Sequence, residues 1–302
     1  MNPEVKRKHV LSGHAGSVYA LENGFSSGTF LSGSSDKLVV EWNLAESSSR
    51  VLAKFPAPVY ALLALQEKQL LLAGTGAGSV HVIDVAEKAE TKILQLHKAQ
   101  VFDLAVSKKH RLLFSAGGDG QLCVFSLENF DFIRAKVLCK EKVRGLAVSP
   151  DEALLAVASG DGNVRIFSLP EMEERFVFHA HDLSANCVAW HPNGKLLLSG
   201  GRDAYLRAWE TENNFAKHSE VAAHNYAIYR IVFQPGGTLF ATASRDKTVK
   251  LWDAASLQFL LRINKENFDG HVNSVNALLW KDEGLISAGD DRSVMVWGTP
   301  GL

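Results

Sequence analysis

The chain has little of what marks secreted, membrane-spanning or nucleic-acid-binding proteins. Its three cysteines, Cys123, Cys139 and Cys187, are odd in number and widely spaced, which predicts neither a disulfide framework nor a zinc site. No apolar run approaches the roughly 18 residues of a membrane span, and no apolar segment follows the basic start. The 32 Lys and Arg residues balance 33 Asp and Glu residues, so no overall field attracts nucleic acid or anionic lipid. These absences predict a cytoplasmic protein that binds neither nucleic acid nor membranes.

What the sequence does contain is an internal repeat of about 42 residues. Each unit has two short apolar runs, a turn and then an alternating segment that ends at a bulky residue, and these ends are Trp42, Ile83, Phe125, Phe167, Trp209, Trp252 and Trp297. Turn residues, such as those around Pro192 and Pro235, separate the runs. No segment has a helical period, so the repeat predicts an all-β chain with four strands in each unit.

Short motifs at fixed places in the units identify a family. Gly-His pairs or relaxed versions of them precede the first strands, and they end at His14, His97, His181, His224 and His271. An Asp lies in the turn before most of the alternating segments, and one unit ends in a complete Trp252-Asp253 pair. On these residues the chain resembles the WD40-repeat family along its whole length. The resemblance implies a seven-bladed β-propeller of four-stranded antiparallel blades, with residues 1–302 forming a single domain.

Units two and four depart from the family pattern. Phe55 and Cys139 stand where the His is expected, and Ala77 replaces the turn Asp of unit two. We therefore expect these two blades to lack the polar network described below, to depend on apolar packing and to be softer than the others.

The ends of the chain predict how the ring closes. Five residues follow Trp297, too few for the outermost strand of blade seven, whereas residues 5–11 precede the first Gly-His pair and belong to no unit. We expect this N-terminal strand to complete blade seven, because pairing the two ends removes an exposed sheet edge.

Four units carry the same polar set of a His, a Ser or Thr, an Asp and a Trp. The sets are His14, Ser32, Asp36 and Trp42; His181, Ser199, Asp203 and Trp209; His224, Thr242, Asp246 and Trp252; and His271, Ser287, Asp291 and Trp297. A single Ser-His-Asp set suggests a hydrolase, but a catalytic site normally occurs once. The repetition favours a structural role, and the resemblance implies a hydrogen-bonded network in which the His bonds the Asp and the hydroxyl. Since no carboxylate or thiol near His179 and His181 in sequence completes a metal set, we expect no metal and no cofactor.

The resemblance also indicates one candidate binding surface. In the family, the residues three and five positions after the His, and the residue before the turn Asp, lie on the top face around the central channel. Here these positions supply an aromatic group and a basic group: Tyr19, Tyr60, Phe102 and Tyr229, and Lys142, Arg144, Arg202 and Arg245. Aromatic and Arg side chains are typical of interface hot spots, and the local basic group favours an acidic peptide. The alternative is that the tyrosines only cap the core with a polar end in water.

We therefore expect a non-enzymatic interaction scaffold, monomeric on its own, that binds a partner protein or peptide on the top face. One alternative is an architectural subunit that uses the blade sides. Another is an enzyme with a site in the channel, which would need convergent acids or bases there, although only Asp290 among the channel-mouth positions is acidic.

Overall fold

The structure, a computed structural model, describes residues 5–281 and 284–298. Within these residues 28 strands form seven separate four-stranded antiparallel sheets. In every sheet the second and third strands are almost wholly buried, which explains the apolar runs and alternating segments of each repeat. The predicted seven-bladed propeller is confirmed.

The first four blades follow one another along the chain, and their strands are given from the channel outward. Blade one contains β2 (Val18–Asn23), β3 (Thr29–Ser34), β4 (Leu38–Asn43) and β5 (Ser48–Lys54). Blade two contains β6 (Val59–Leu65), β7 (Leu70–Thr75), β8 (Ser79–Asp84) and β9 (Ala89–Gln95). Blade three contains β10 (Val101–Ser107), β11 (Leu112–Gly117), β12 (Gln121–Ser126) and β13 (Phe132–Val137). Blade four contains β14 (Val143–Val148), β15 (Leu154–Ser159), β16 (Asn163–Ser168) and β17 (Glu174–His179).

The remaining blades complete the ring. Blade five contains β18 (Ala185–Trp190), β19 (Leu196–Gly201), β20 (Tyr205–Glu210) and β21 (Ala216–Ala222). Blade six contains β22 (Ile228–Phe233), β23 (Leu239–Ser244), β24 (Val249–Asp253) and β25 (Phe259–Ile263). Blade seven contains β26 (Val275–Lys281), β27 (Gly284–Gly289), β28 (Ser293–Gly298) and, outermost, β1 (Lys6–Ser12). The α-helix α1 (Lys265–Phe268) is a single turn, and no helix of the described residues is long and apolar enough to cross a membrane.

The two ends of the chain meet in one sheet. Strand β1 pairs antiparallel with β28, with Val10 opposite Met295 and Leu11 opposite Val294. Just before β1, Val5 is buried in the apolar cluster between blades six and seven. The expectation that an N-terminal strand completes blade seven is therefore confirmed.

The hydrophobic core is divided into seven clusters, and each lies between two adjacent blades. The cluster between blades seven and one, for example, packs Phe30 and Trp42 against Ile286 and Val296. Because burial of apolar surface is the main stabilising contribution in folding, every blade depends on both of its neighbours. Closure of the ring supplies the last of these contacts.

Candidate functional site

The innermost strand of every blade carries a β-bulge at the same place. The pairing with the second strand shifts by one residue around the positions Tyr19, Tyr60, Phe102, Arg144, Asn186, Tyr229 and Asn276. A bulge leaves one residue unpaired and redirects its side chain. All seven of these residues line one cavity of about 270 Å³ at the mouth of the central channel.

Three aromatic side chains from blades one to three form a continuous wall of this cavity. The rings of Tyr19 and Tyr60 stack with their centroids 4.6 Å apart and their planes 5° from parallel. Phe102 follows with its ring edge-on to Tyr60, at 5.6 Å between centroids. Two basic side chains then lie over Phe102, since the Arg144 guanidinium is 4.7 Å and the Lys142 ammonium 5.5 Å from its centroid. The predicted aromatic and basic groups therefore meet at Phe102.

The predicted basic residues lie at different depths. Arg144 is half-buried in the cavity, where burial lowers the pKa of its guanidinium and the nearby charge of Arg202 lowers it further. Arg202 and Lys142 are exposed on the top face and do not line the cavity. Arg245 is also exposed, and its guanidinium lies over the ring of Tyr226, 5.9 Å from the centroid. The structure thus brings Arg144 to the cavity and leaves the other three cations around its rim.

Polar side chains complete the opposite wall. The Asn276 amide donates one hydrogen bond to the Val18 carbonyl of blade one and another to Asp290 Oδ1. Asn186 likewise donates to the Ile228 carbonyl of the next blade, at 3.0 Å. The two asparagines join neighbouring bulges, and Asn276 holds the Asp290 carboxylate at the cavity. These residues occupy positions that the family resemblance indicates, but their roles follow only from the structure.

An ion pair that the sequence did not suggest also lines the cavity. Arg230 reaches from blade six across the channel to Asp103 of blade three, with 3.4 Å between Nη1 and Oδ1. The Asp103 carboxylate also accepts hydrogen bonds from the backbone N–H groups of Leu104 and Leu146. Three other blades have alanine where these two blades have charged residues, namely Ala20, Ala61 and Ala277. This contrast between the aligned repeats is the sequence feature that could have indicated the ion pair.

A further acid faces the channel near this ion pair. Burial raises the pKa of Glu22 on β2 to about 7, although a backbone hydrogen bond from Asn23 and the charge of Arg230 oppose the shift. Desolvation destabilises a carboxylate more than the neutral acid, which explains the direction. Glu22 is therefore an acid that titrates near neutral pH inside the scaffold.

Away from the mouth, the four complete polar sets share one hydrogen-bond geometry. In blade one, His14 Nδ1 lies 2.8 Å from Asp36 Oδ2, its Nε2 lies 2.7 Å from Ser32 Oγ, and the Trp42 indole donates to the same Oγ at 2.7 Å. The same three bonds recur in blades five, six and seven. Because the indole only donates, the hydroxyl donates to Nε2 and the imidazole donates to the carboxylate.

This geometry is unsuited to catalysis. The hydroxyl-bearing residue is fully buried in each complete set, as for Ser32 and Thr242, and its oxygen already accepts the indole hydrogen. A nucleophile needs to reach a substrate. Burial also lowers the pKa values of His181 and His224, which keeps these imidazoles neutral within their networks. The described residues hold no group of three metal-ligating side chains.

The two degenerate blades contain substitute networks, so the expectation that they depend on apolar packing alone is wrong. In blade four, Arg165 donates to Ser159 Oγ at 2.5 Å and to both carboxylate oxygens of the turn residue Asp161. In blade two, His81 bonds Ser79 at 2.8 Å and Glu90 at 2.5 Å. Both substitutes lie at the same position of the third strand.

Comparison with known proteins agrees with this architecture. The family model described as "WD domain, G-beta repeat" matches residues 5–43, 88–126, 136–168, 172–210, 217–253 and 263–298. The longest stretch without a match, residues 44–87, contains most of blade two, where Phe55 and Ala77 replace the usual His and Asp. No curated protein matches the chain significantly. The matched repeats cover most of the chain, which therefore belongs to the WD40 family.

Proposed function

We propose that this protein is a non-enzymatic interaction scaffold that binds a partner protein or peptide at the channel mouth on its top face. The observation that carries the proposal is the aromatic and basic wall formed by Tyr19, Tyr60, Phe102 and Arg144. Aromatic and Arg side chains held in a partly desolvated depression are typical of residues that dominate binding energy. Tyr229 supplies a fourth aromatic side chain to the same cavity.

The preferred partner carries negative charge. Arg144 lines the cavity, and Lys142, Arg202 and Arg245 are exposed outside it on blades four to six. Within residues 5–281 and 284–298 none of these four cations has an ion-pair partner. Elsewhere cations do find carboxylates, as Arg207 does with Asp203. Charges that lack a partner on a neutral chain favour an acidic peptide and accelerate its approach.

An architectural role through the blade sides is the second candidate. It is favoured by β13, all of whose residues are exposed, including Phe132, Ile133 and Val137. Exposed apolar side chains on an outer strand would suit a neighbouring subunit. This candidate predicts that substitutions on β13 disrupt assembly while substitutions at the channel mouth do not.

The remaining parts of the proposal concern the protein's setting. Burial raises the pKa of Cys123 and of Cys187 to about 12, so both thiols stay protonated and unreactive at neutral pH. Free thiols suit a reducing compartment, and we place the protein in the cytoplasm, monomeric on its own, without a cofactor and without nucleic-acid or membrane binding.

Binding kinetics with the partner that co-purifies from native cells test the proposal. Arg144→Glu combined with Arg245→Glu should slow association, and raised salt should weaken wild-type binding because screening acts within roughly 10 Å at 0.1 M. Tyr19→Ala and Tyr60→Ala should accelerate dissociation, each at a cost of about 1 to 3 kcal/mol. Arg134→Glu with Lys136→Glu on β13 is the control. Loss of binding in this control, with normal binding by the mouth variants, would favour the architectural role.

A further inference from the structure

The channel mouth carries opposite charges on opposite walls. Arg144 projects from the bulge of β14 in blade four, whereas Asp290 lies in the turn before β28 in blade seven. Both side chains line the same cavity. Blades four and seven are three steps apart in a ring of seven, the largest separation that the ring allows. The two charges therefore define a direction across the mouth.

Neither charge is neutralised within the part of the chain that the structure describes. Arg144 lies over the Phe102 ring and forms no ion pair, and Asp290 accepts a hydrogen bond from Asn276 but pairs with no cation. Of the other residues that line the cavity, Arg230 and Asp103 do pair. A half-buried charge has lost part of its hydration, so an opposite charge on a partner stabilises it by direct electrostatic attraction.

Each of the two groups is held in place before any ligand arrives. The Phe102 ring supports the guanidinium of Arg144, and the Asn276 amide, which also bonds the Val18 carbonyl, fixes one oxygen of Asp290 at 2.8 Å. Preorganised groups lose little conformational entropy on binding. The geometry is therefore that of a site that is formed in advance.

Neighbouring side chains strengthen the separation of charge between Arg144 and Asp290. Arg202 lies near enough to Arg144 to lower its pKa, and Lys142 lies over the same Phe102 ring, so blades four and five present several cations side by side. An anion bound between closely spaced cations reduces the repulsion between them. The opposite wall, formed by blade seven, offers the carboxylate of Asp290 and the amide of Asn276.

Building on the proposed function, we infer that the channel mouth binds a dipolar peptide segment in one direction. The partner chain lies across the mouth with an Asp or Glu side chain over Arg144 and a Lys or Arg side chain at Asp290. Tyr19 and Tyr60 flank the segment, and the Arg230–Asp103 pair limits how deeply its side chains enter. The spacing of the acid and the base in the partner determines recognition, and the two charges of the mouth determine which way the segment lies.

Selection from a displayed library of random peptides on the immobilised full chain tests this inference. Wild-type protein should enrich peptides that contain both an acid and a base at a fixed separation. Arg144→Met should reduce the enrichment of the acid about tenfold or more while the base remains, and Asp290→Asn should do the converse. Arg175→Met and Asp131→Asn, which change exposed charges elsewhere, should leave the motif unchanged.

The double variant Arg144→Asp with Asp290→Arg tests the charge pairing itself. It should again enrich peptides that carry both an acid and a base, because such a peptide can bind turned end for end, and circular dichroism of each variant verifies folding. Enrichment of acid-only peptides that Asp290→Asn does not alter would overturn the polarity and leave docking at the mouth intact. Enrichment of the same peptides by the wild-type protein and by every mouth variant would overturn both this inference and the proposed function. So would the absence of any enrichment by the wild-type protein.

Discussion

Arg230 of blade six donates a hydrogen bond to Asp103 of blade three across the central channel, at 3.4 Å. The two residues are 127 positions apart in the chain, and their blades lie on opposite sides of the ring. Asp103 also accepts the backbone N–H of Leu146, so one carboxylate joins blades three, four and six. Glu22 interacts electrostatically with both members of the pair. Glu22, Arg230 and Asp103 therefore form a small electrostatic network.

Glu22 should make the stability of the protein fall between about pH 4.5 and 7. Burial raises its pKa from 4.5 to about 7, so the folded state retains a proton that the unfolded state releases, and the resulting stabilisation is lost as pH rises through 7. Glu22→Gln removes this dependence. The difference in free energy of unfolding between Glu22→Gln and wild type should therefore favour the variant more at pH 8 than at pH 5, by on the order of 1 to 3 kcal/mol.

Urea denaturation at the two pH values measures this difference. Glu87→Gln, which replaces an exposed carboxylate, should show no such gain. A Glu22→Gln variant whose stability runs parallel to wild type from pH 5 to 8 would show that the Glu22 carboxylate is not destabilised by burial.

The polar set of blade six should contribute substantially to folding. Asp246 accepts hydrogen bonds from His224 and from the backbone N–H of Asn225 and Thr248. Asp246→Ala should lower the free energy of unfolding by about 2 to 4 kcal/mol, because buried donors lose their acceptor. Asp182→Ala, at a side chain that is 82% exposed, should change it by less than about 0.5 kcal/mol. Equal denaturation midpoints for the two variants would contradict a structural role for the set.

If the substitute network stabilises blade four, removing the hydrogen bonds of Arg165 should destabilise the protein. If blade four depends on apolar packing alone, it should not. Arg165→Met keeps the bulk of the side chain but removes its bonds to Ser159 and Asp161, and should destabilise the protein by about 2 to 4 kcal/mol. Arg175→Met, in which an exposed arginine is replaced, should be nearly silent. Thermal melting distinguishes the two outcomes. If Arg165→Met is neutral or stabilising, blade four depends on its apolar core after all.

The sequence predicted the complete polar sets and the ring closure, but it missed the substitute networks and the contact across the channel. The sets of His14 and His271 could be placed because each follows the family pattern within one unit. Arg165 and His81 were missed because they lie on the third strand, outside that pattern, and only the structure shows their hydrogen bonds. The Arg230–Asp103 pair depends on two blades meeting across the channel, which repeat spacing alone does not reveal.

Ring closure can be tested by removing residues 1–12 and supplying them again as a peptide. Loss of β1 exposes the edge of β28, so the truncated protein should aggregate or lose cooperative unfolding. A synthetic peptide of residues 1–12 should restore the monomer, and a scrambled peptide should not. Size-exclusion chromatography provides the measurement. A truncated protein that stays monomeric with an unchanged melting temperature would show that the β1–β28 pairing is dispensable.

Site-specific photo-crosslinking in native cells tests the central claim, docking at the channel mouth, most directly. A benzophenone amino acid replaces Tyr226, which is 59% exposed at the rim of the top face, or Val137, which is 69% exposed on the outer strand of blade three. We predict a partner adduct from position 226 that Arg144→Glu abolishes, and no adduct from position 137. An adduct from position 137 that Arg144→Glu leaves intact, with none from position 226, would contradict the account.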